Sequence, residues 1–157
     1  MKNTSKRKAV GGLSCPDCGV GNILPKACSG RQGTYKNRSM EIPATVEIPT
    51  CNHCGSEWIN EKTAAQIDQT LEEIFQAKLL KEAQRLLDIL VAEVTQQKME
   101  QALGLSQGYL SKIRSGANTP SPMLVACLRL LADNPAKRLQ TLQMPTAGGK
   151  KSKHSNV

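Results

Sequence analysis

Cys15-Pro16-Asp17-Cys18-Gly19 and Cys51-Asn52-His53-Cys54-Gly55 are two copies of one pattern, C-x-x-C-G. Two residues between paired cysteines let both sulfurs face one ion from a tight turn. A glycine after the second cysteine can take positive φ, so that backbone N–H groups swing toward the thiolates. Each pair makes half of a tetrahedron. Cys15, Cys18, Cys51 and Cys54 together fill the shell, which leaves no open position for catalysis and predicts a structural site. Soft sulfur ligands favour Zn²⁺, with iron the main rival. A redox C-x-x-C is the competing reading, and the duplication with shared glycine punctuation argues against it. The 32 residues between Cys18 and Cys51 leave room for a β-hairpin between the halves.

Outward from this site, residues 13–60 are rich in Gly and Pro and hold five of the six cysteines. They show short β-prone stretches such as Ala44-Thr45-Val46-Glu47-Ile48 and no helical period. His53 and the lone Cys28 read as a solvent-exposed side chain and an idle thiol. Aromatic residues make up only 3% of the chain, so a small domain lacks bulky core residues and a metal staple is favoured. No apolar run approaches the ~20 residues that span a bilayer. The basic start, Met1 to Lys8, has no apolar segment after it, so no secretory signal is visible. The expectation is a soluble cytoplasmic protein whose thiols stay reduced.

Residues 61–92 contain no Gly or Pro. Ile67, Leu71, Ile74, Phe75, Leu79, Leu80, Ala83, Leu86, Leu87 and Leu90 fall at helical spacing, predicting one long connecting helix, or two with a break near 76–80. The expected fold is mainly α with a small β zinc ribbon. It comprises a basic arm at 1–12, a four-cysteine zinc-ribbon domain at 13–60, the connecting helix, a helix-turn-helix bundle at 93–144 and a basic tail at 145–157. Both tails read as disordered.

The formal net charge of +8 is unevenly spread. Residues 61–94 carry 4 Lys/Arg against 7 Asp/Glu, whereas residues 95–157 carry 9 against 2. A basic segment beside an acidic one points to a polyanion at the basic end. That end holds a second pattern. Thr95 can N-cap a helix running to Leu103, with Met99, Ala102 and Leu103 inward, and Gly104 ends it. Ser106 then caps a second helix with Leu110 and Ile113 inward and Gln107, Gly108, Ser111 and Lys112 outward, ended by Gly116. Two short helices around a glycine turn fit a helix-turn-helix, whose second helix enters the major groove. Ser121 and Pro122 start a further helix. Its Leu124, Val125, Leu128, Leu130 and Leu131 give it more apolar surface than a small bundle needs, and a second subunit would cover the surplus. Cys127 in that helix reads as a small core hydrophobe. With two histidines and no nucleophile-base or paired-carboxylate arrangement, no enzyme is expected.

The stretch T-Q-Q-K-M-E-Q-A-L-G-L-S-Q-G-Y-L-S-K-I-R-S-G-A-N-T-P, residues 95–120, resembles the Xre/Cro-type helix-turn-helix family. Behind a four-cysteine ribbon, it is similar to the MqsA-type antitoxins, over roughly residues 13–142. The resemblance implies a homodimer that represses its own promoter at a palindromic double-stranded DNA operator, with a zinc ribbon that binds a toxin. It puts Gln107, Gly108 and Lys112 where bases are read, with Tyr109 as an added contact. Thr95, Gln96, Ser106 and Ser111 fall where phosphates are gripped. The alternative is a stand-alone regulator of a phage or mobile element with no toxin. The chain departs from the family pattern in having Gly108 and Lys112 in place of Asn and Arg, and Glu100 in place of a small residue.

Overall fold

The computed structural model describes residues 12–142. The arm and tail expected at the termini lie, apart from Gly12, outside the described residues. Helices hold about 48% of what is described. The chain divides into two compact units between Ile74 and Phe75.

The first unit is built on short strands. β1 (Leu13–Ser14), β2 (Asn22–Lys26) and β5 (Ile48–Cys51) form one antiparallel sheet in the order β1-β2-β5. β1 pairs only with Asn22 and Ile23, so β2 is an edge strand from Leu24 onward. Pro25 sits in that uncovered half, where a missing N–H breaks no ladder. β3 (Gln32–Tyr35) and β4 (Arg38–Glu41) make the expected hairpin between the cysteine pairs. Its two-residue turn, Lys36-Asn37, has φ of 46° and 60°, as the twist of a tight hairpin demands.

The β-prone stretch 44–48 is not a strand. Residues 44–46 form a turn after Pro43, and only Ile48 belongs to β5. Val46 N–H donates to the Pro43 carbonyl, and Val46 and Ile48 are both buried. Burial rather than strand pairing is what their apolar character serves. The Arg31 guanidinium fastens this region by donating to the Lys26 carbonyl, Thr50 Oγ1 and Glu57.

α1 is one helix, Glu61–Leu90, without a break at 76–80. Asn60 caps it through Oδ1, which accepts from Thr63 N–H. In the first unit Ile67 and Leu71 are buried, and Leu71 lies beside Gly33 and Ile42. In the second unit Ala83, Leu86, Leu87 and Leu90 enter one core with Met99, Leu110, Ile113, Leu124, Val125, Leu128, Leu131 and Leu139. Each fully buried leucine of that set contributes roughly 1.5–3 kcal/mol. The elements around them are α2 (Gln96–Ala102), α3 (Tyr109–Arg114), α4 (Pro122–Asp133) and α5 (Pro135–Leu142). Ser121 caps α4 as expected, its side chain accepting from Leu124 N–H. No helix among the described residues is long and apolar enough to cross a membrane.

Polar ties brace the second unit. Glu82 bonds Arg85 on its own helix and Arg129 on α4, and Asp88 pairs with Arg114 at the end of α3. The bonds to Arg85 and Arg129 hold the Glu82 carboxyl down at about 2. Its folded value lies below the ordinary 4.5, so the unfolded chain takes up the proton first and stability falls with pH in that window. The stability difference between wild type and Glu82→Gln, followed by chemical denaturation, should be full above pH 4.5 and vanish as pH falls through about 2.

Candidate metal centre and nucleic-acid interface

The Sγ atoms of Cys15, Cys18, Cys51 and Cys54 all lie within 4.8 Å of one another. Cys15 to Cys54 and Cys18 to Cys51, the pairs across the two turns, are both 3.7 Å apart. A tetrahedron with metal–sulfur bonds of ~2.3 Å has an edge of about 3.8 Å, so the donor set fits one four-coordinate ion. No other group of three or more His, Cys, Asp or Glu among the described residues converges in this way.

Each turn is closed the same way. Gly19 N–H donates to the Cys15 carbonyl at 2.9 Å and Gly55 N–H to that of Cys51 at 3.1 Å. The two glycines have φ of 65° and 78°, the conformation expected of them. Cys18 Sγ accepts from Gly21 N–H, and Cys51 Sγ from the N–H groups of His53 and Cys54. Such bonds stabilise thiolate charge. The Ser56 hydroxyl and N–H draw the Cys54 thiol down to about 6. Cys15 is drawn down by Cys18 N–H, but burial and the neighbouring thiols outweigh this and push it up to about 11.

Three contributors were not read from the sequence. Asn22 and Asn52 staple the turns together: Asn52 Oδ1 accepts from Asn22 N–H, and the Asn22 carbonyl accepts from Asn52 N–H. Gly21 is needed for space, because a Cβ there would stand 2.5 Å from Cys51 Sγ and 2.7 Å from His53 Cβ. A third glycine only two positions past Gly19 was the available signal. His53 is exposed and outside the donor set, and Cys28 is exposed.

In the second unit the turn-joined helices form, with differences at their starts. Thr95 stands at the N-cap of α2, but its side chain makes no capping bond. Ser106 does not cap α3. It precedes a turn through Gln107 and Gly108, and the N-cap position belongs to Gly108, at φ 79°. Capping comes from elsewhere. Glu100, buried inside α2, accepts from Gly108 N–H and Leu110 N–H through its two oxygens, each at 3.0 Å, and from Gln96 Nε2 at 3.1 Å. The starts of both helices thus converge on one carboxylate. The position with no small residue proves to be a cap supplied across the turn.

Leu110 and Ile113 are fully buried, as expected, and Gln107, Ser111 and Lys112 are exposed. Gln107 lies in the turn rather than on α3. Tyr109 is half-buried against the core rather than free at the surface. Arg114 is engaged by Asp88, whereas the Lys112 ammonium has no ion pair among the described residues. On α4, Cys127 is half-buried and stands with exposed Met123, Ala126 and Leu130, not in the core. These four positions repeat at helical spacing and form an apolar stripe left uncovered among the described residues.

No protein-family model matches the chain, and comparison with characterised proteins finds no match. Gly21→Ala should lower metal affinity by about ten-fold or more, by crowding Cys51 Sγ. Competition with a chromophoric chelator measures this, and unchanged affinity would remove Gly21 from the site.

Proposed function

We propose that the protein is a sequence-specific DNA-binding repressor in which α2 and α3 form a helix-turn-helix and the four cysteines hold a structural Zn²⁺. One observation carries the DNA reading. α3 buries Leu110 and Ile113 completely, while Ser111 and Lys112 stay exposed, as does Gln107, and Lys112 has no ion pair among the described residues. A surface helix with a basic, acid-free outer face matches what enters a major groove. Lys112 would donate to guanine O6 and N7, as a point charge rather than a planar fork. Thr95, Gln96, Ser106 and Ser111 would contact the backbone, and Gly108 would contribute a turn rather than a side chain.

The uncovered stripe on α4 supports a homodimer. Two copies would set their reading helices ~34 Å apart and call for a palindromic operator. A tetrahedral four-sulfur shell suits both zinc and iron, and zinc is the ion of closed structural sites of this kind. The resemblance suggests that the repressed promoter is the protein's own, in a cytoplasm that keeps the cysteines reduced.

A second reading adds a protein partner, of the toxin class, on the metal-bearing unit. Leu13, Val20 and Ile59 there are 80%, 72% and 58% exposed, apolar surface that such a partner would cover. Loss of co-purification with a co-expressed neighbouring gene product on Val20→Asp would support it. Retention would count against that surface.

Selection of bound fragments from random duplex DNA tests the main reading, since half-site symmetry reports both operator and dimer. Lys112→Ala should then cost ~1–3 kcal/mol in affinity for the selected site, with metal content unchanged. Equal binding to all sequences before and after the change would sink the assignment of α3 as the reading helix.

A further inference from the structure

Among the described residues Glu100 is the only charged side chain that is buried. Burying a carboxylate is costly unless its oxygens are well bonded. Glu100 meets this with three donors: the Gln96 side-chain amide at the start of α2, Gly108 N–H in the turn, and Leu110 N–H in the first turn of α3. Burial pushes its carboxyl up, and these donors together hold it below the usual range, so it carries its charge when folded.

The placement is unusual for a cap. An N-cap side chain ties a helix to the loop that precedes it. Here the N-cap residue is Gly108, which has no side chain and whose left-handed backbone carries its N–H to Glu100. The cap comes from the body of α2, eight and ten residues upstream of the groups it binds. It therefore fixes the start of α3 to α2 rather than to its own loop. The same carboxylate holds Gln96, so a backbone-contacting amide and the reading helix share one anchor.

We infer that Glu100 is a positioning residue for base reading, setting Gln96, Gln107 and Lys112 in one register; this rests on the DNA reading of α2 and α3. Base-edge contacts need that register, whereas sequence-independent attraction to phosphates needs only positive charge. Removing Glu100 also removes a negative charge, which by itself tightens binding to any duplex. The charge effect and the positioning effect have opposite signs on a specific site.

The test uses the full-length, metal-loaded protein with Glu100→Ala and Glu100→Gln, at a temperature where circular dichroism shows each folded. Glutamine keeps the shape and one acceptor, so it serves if alanine fails to fold. Affinity for the selected operator should fall about ten-fold or more, while affinity for a scrambled duplex stays equal or rises. In the free protein, hydrogen exchange at the Gly108 and Leu110 amides should quicken about ten-fold, with Ile113 unchanged. An unchanged ratio of operator to scrambled affinity in a folded variant would overturn the inference, as would unchanged exchange at those two amides. A wild type with no preference for any duplex would overturn the DNA reading and the positioning role with it. Faster exchange at the two amides would then mark Glu100 as a purely structural cap.

Discussion

The apolar stripe of α1 is the constraint on which both units depend. Ile67 and Leu71 are buried in the first, and Ala83, Leu86, Leu87 and Leu90 in the second. Neither unit has aromatic residues enough to build a core alone. α2 and α3, at seven and six residues, are far below the length at which a helix persists in water. They exist because Met99, Leu110 and Ile113 bury against α1 and α4. The surface proposed to read DNA is thus held by residues that never approach it.

The metal centre answers a different shortage. Strands of two to five residues cannot support a sheet by pairing alone. Four sulfurs on one ion would join the loop after β1 to the end of β5, and the paired asparagines and backbone N–H groups hold the two turns that carry them. Cys15 and Cys51 are buried, whereas Cys54 lies at the surface beside Ser56. The ion would have a protected side and an open one, which suits a folding role and a neighbouring surface left free for a partner.

Polar groups inside the second unit are few and fully bonded, and no buried side-chain nitrogen or oxygen among the described residues lacks a partner. Glu100 is the clearest case. A side chain from another helix replaces the local one that ordinarily caps a helix, and it reaches across the turn because the local cap residue is glycine. The departure at Gly108 and the departure at Glu100 are therefore one feature seen from two sides.

The sequence by itself determined whatever is written locally. Two C-x-x-C-G turns identified the four cysteines that converge, because spacing alone aims paired sulfurs at one point. Helical periodicity located α1 and the inward faces of Leu110 and Ile113, because burial repeats with the helix turn. Ser121 and Pro122 marked the start of α4 because a cap and its proline are adjacent in the chain. Only the tertiary structure decided the rest. The 44–48 stretch is β-prone but turns, because Pro43 bends the chain and the core takes Val46. Ser106 has the chemistry of a cap, yet a better acceptor arrives from Glu100. Cys127 looks like a core residue, and the inward face of α4 is already filled by Leu124, Val125, Leu128 and Leu131. Gly21 looks like loop filler, and the sulfur of Cys51, distant in the chain, occupies the place of its missing side chain. At Gly21 and Ser106 the deciding group comes from another element, and at Val46 and Cys127 the packing of the core decides, which no local pattern carries.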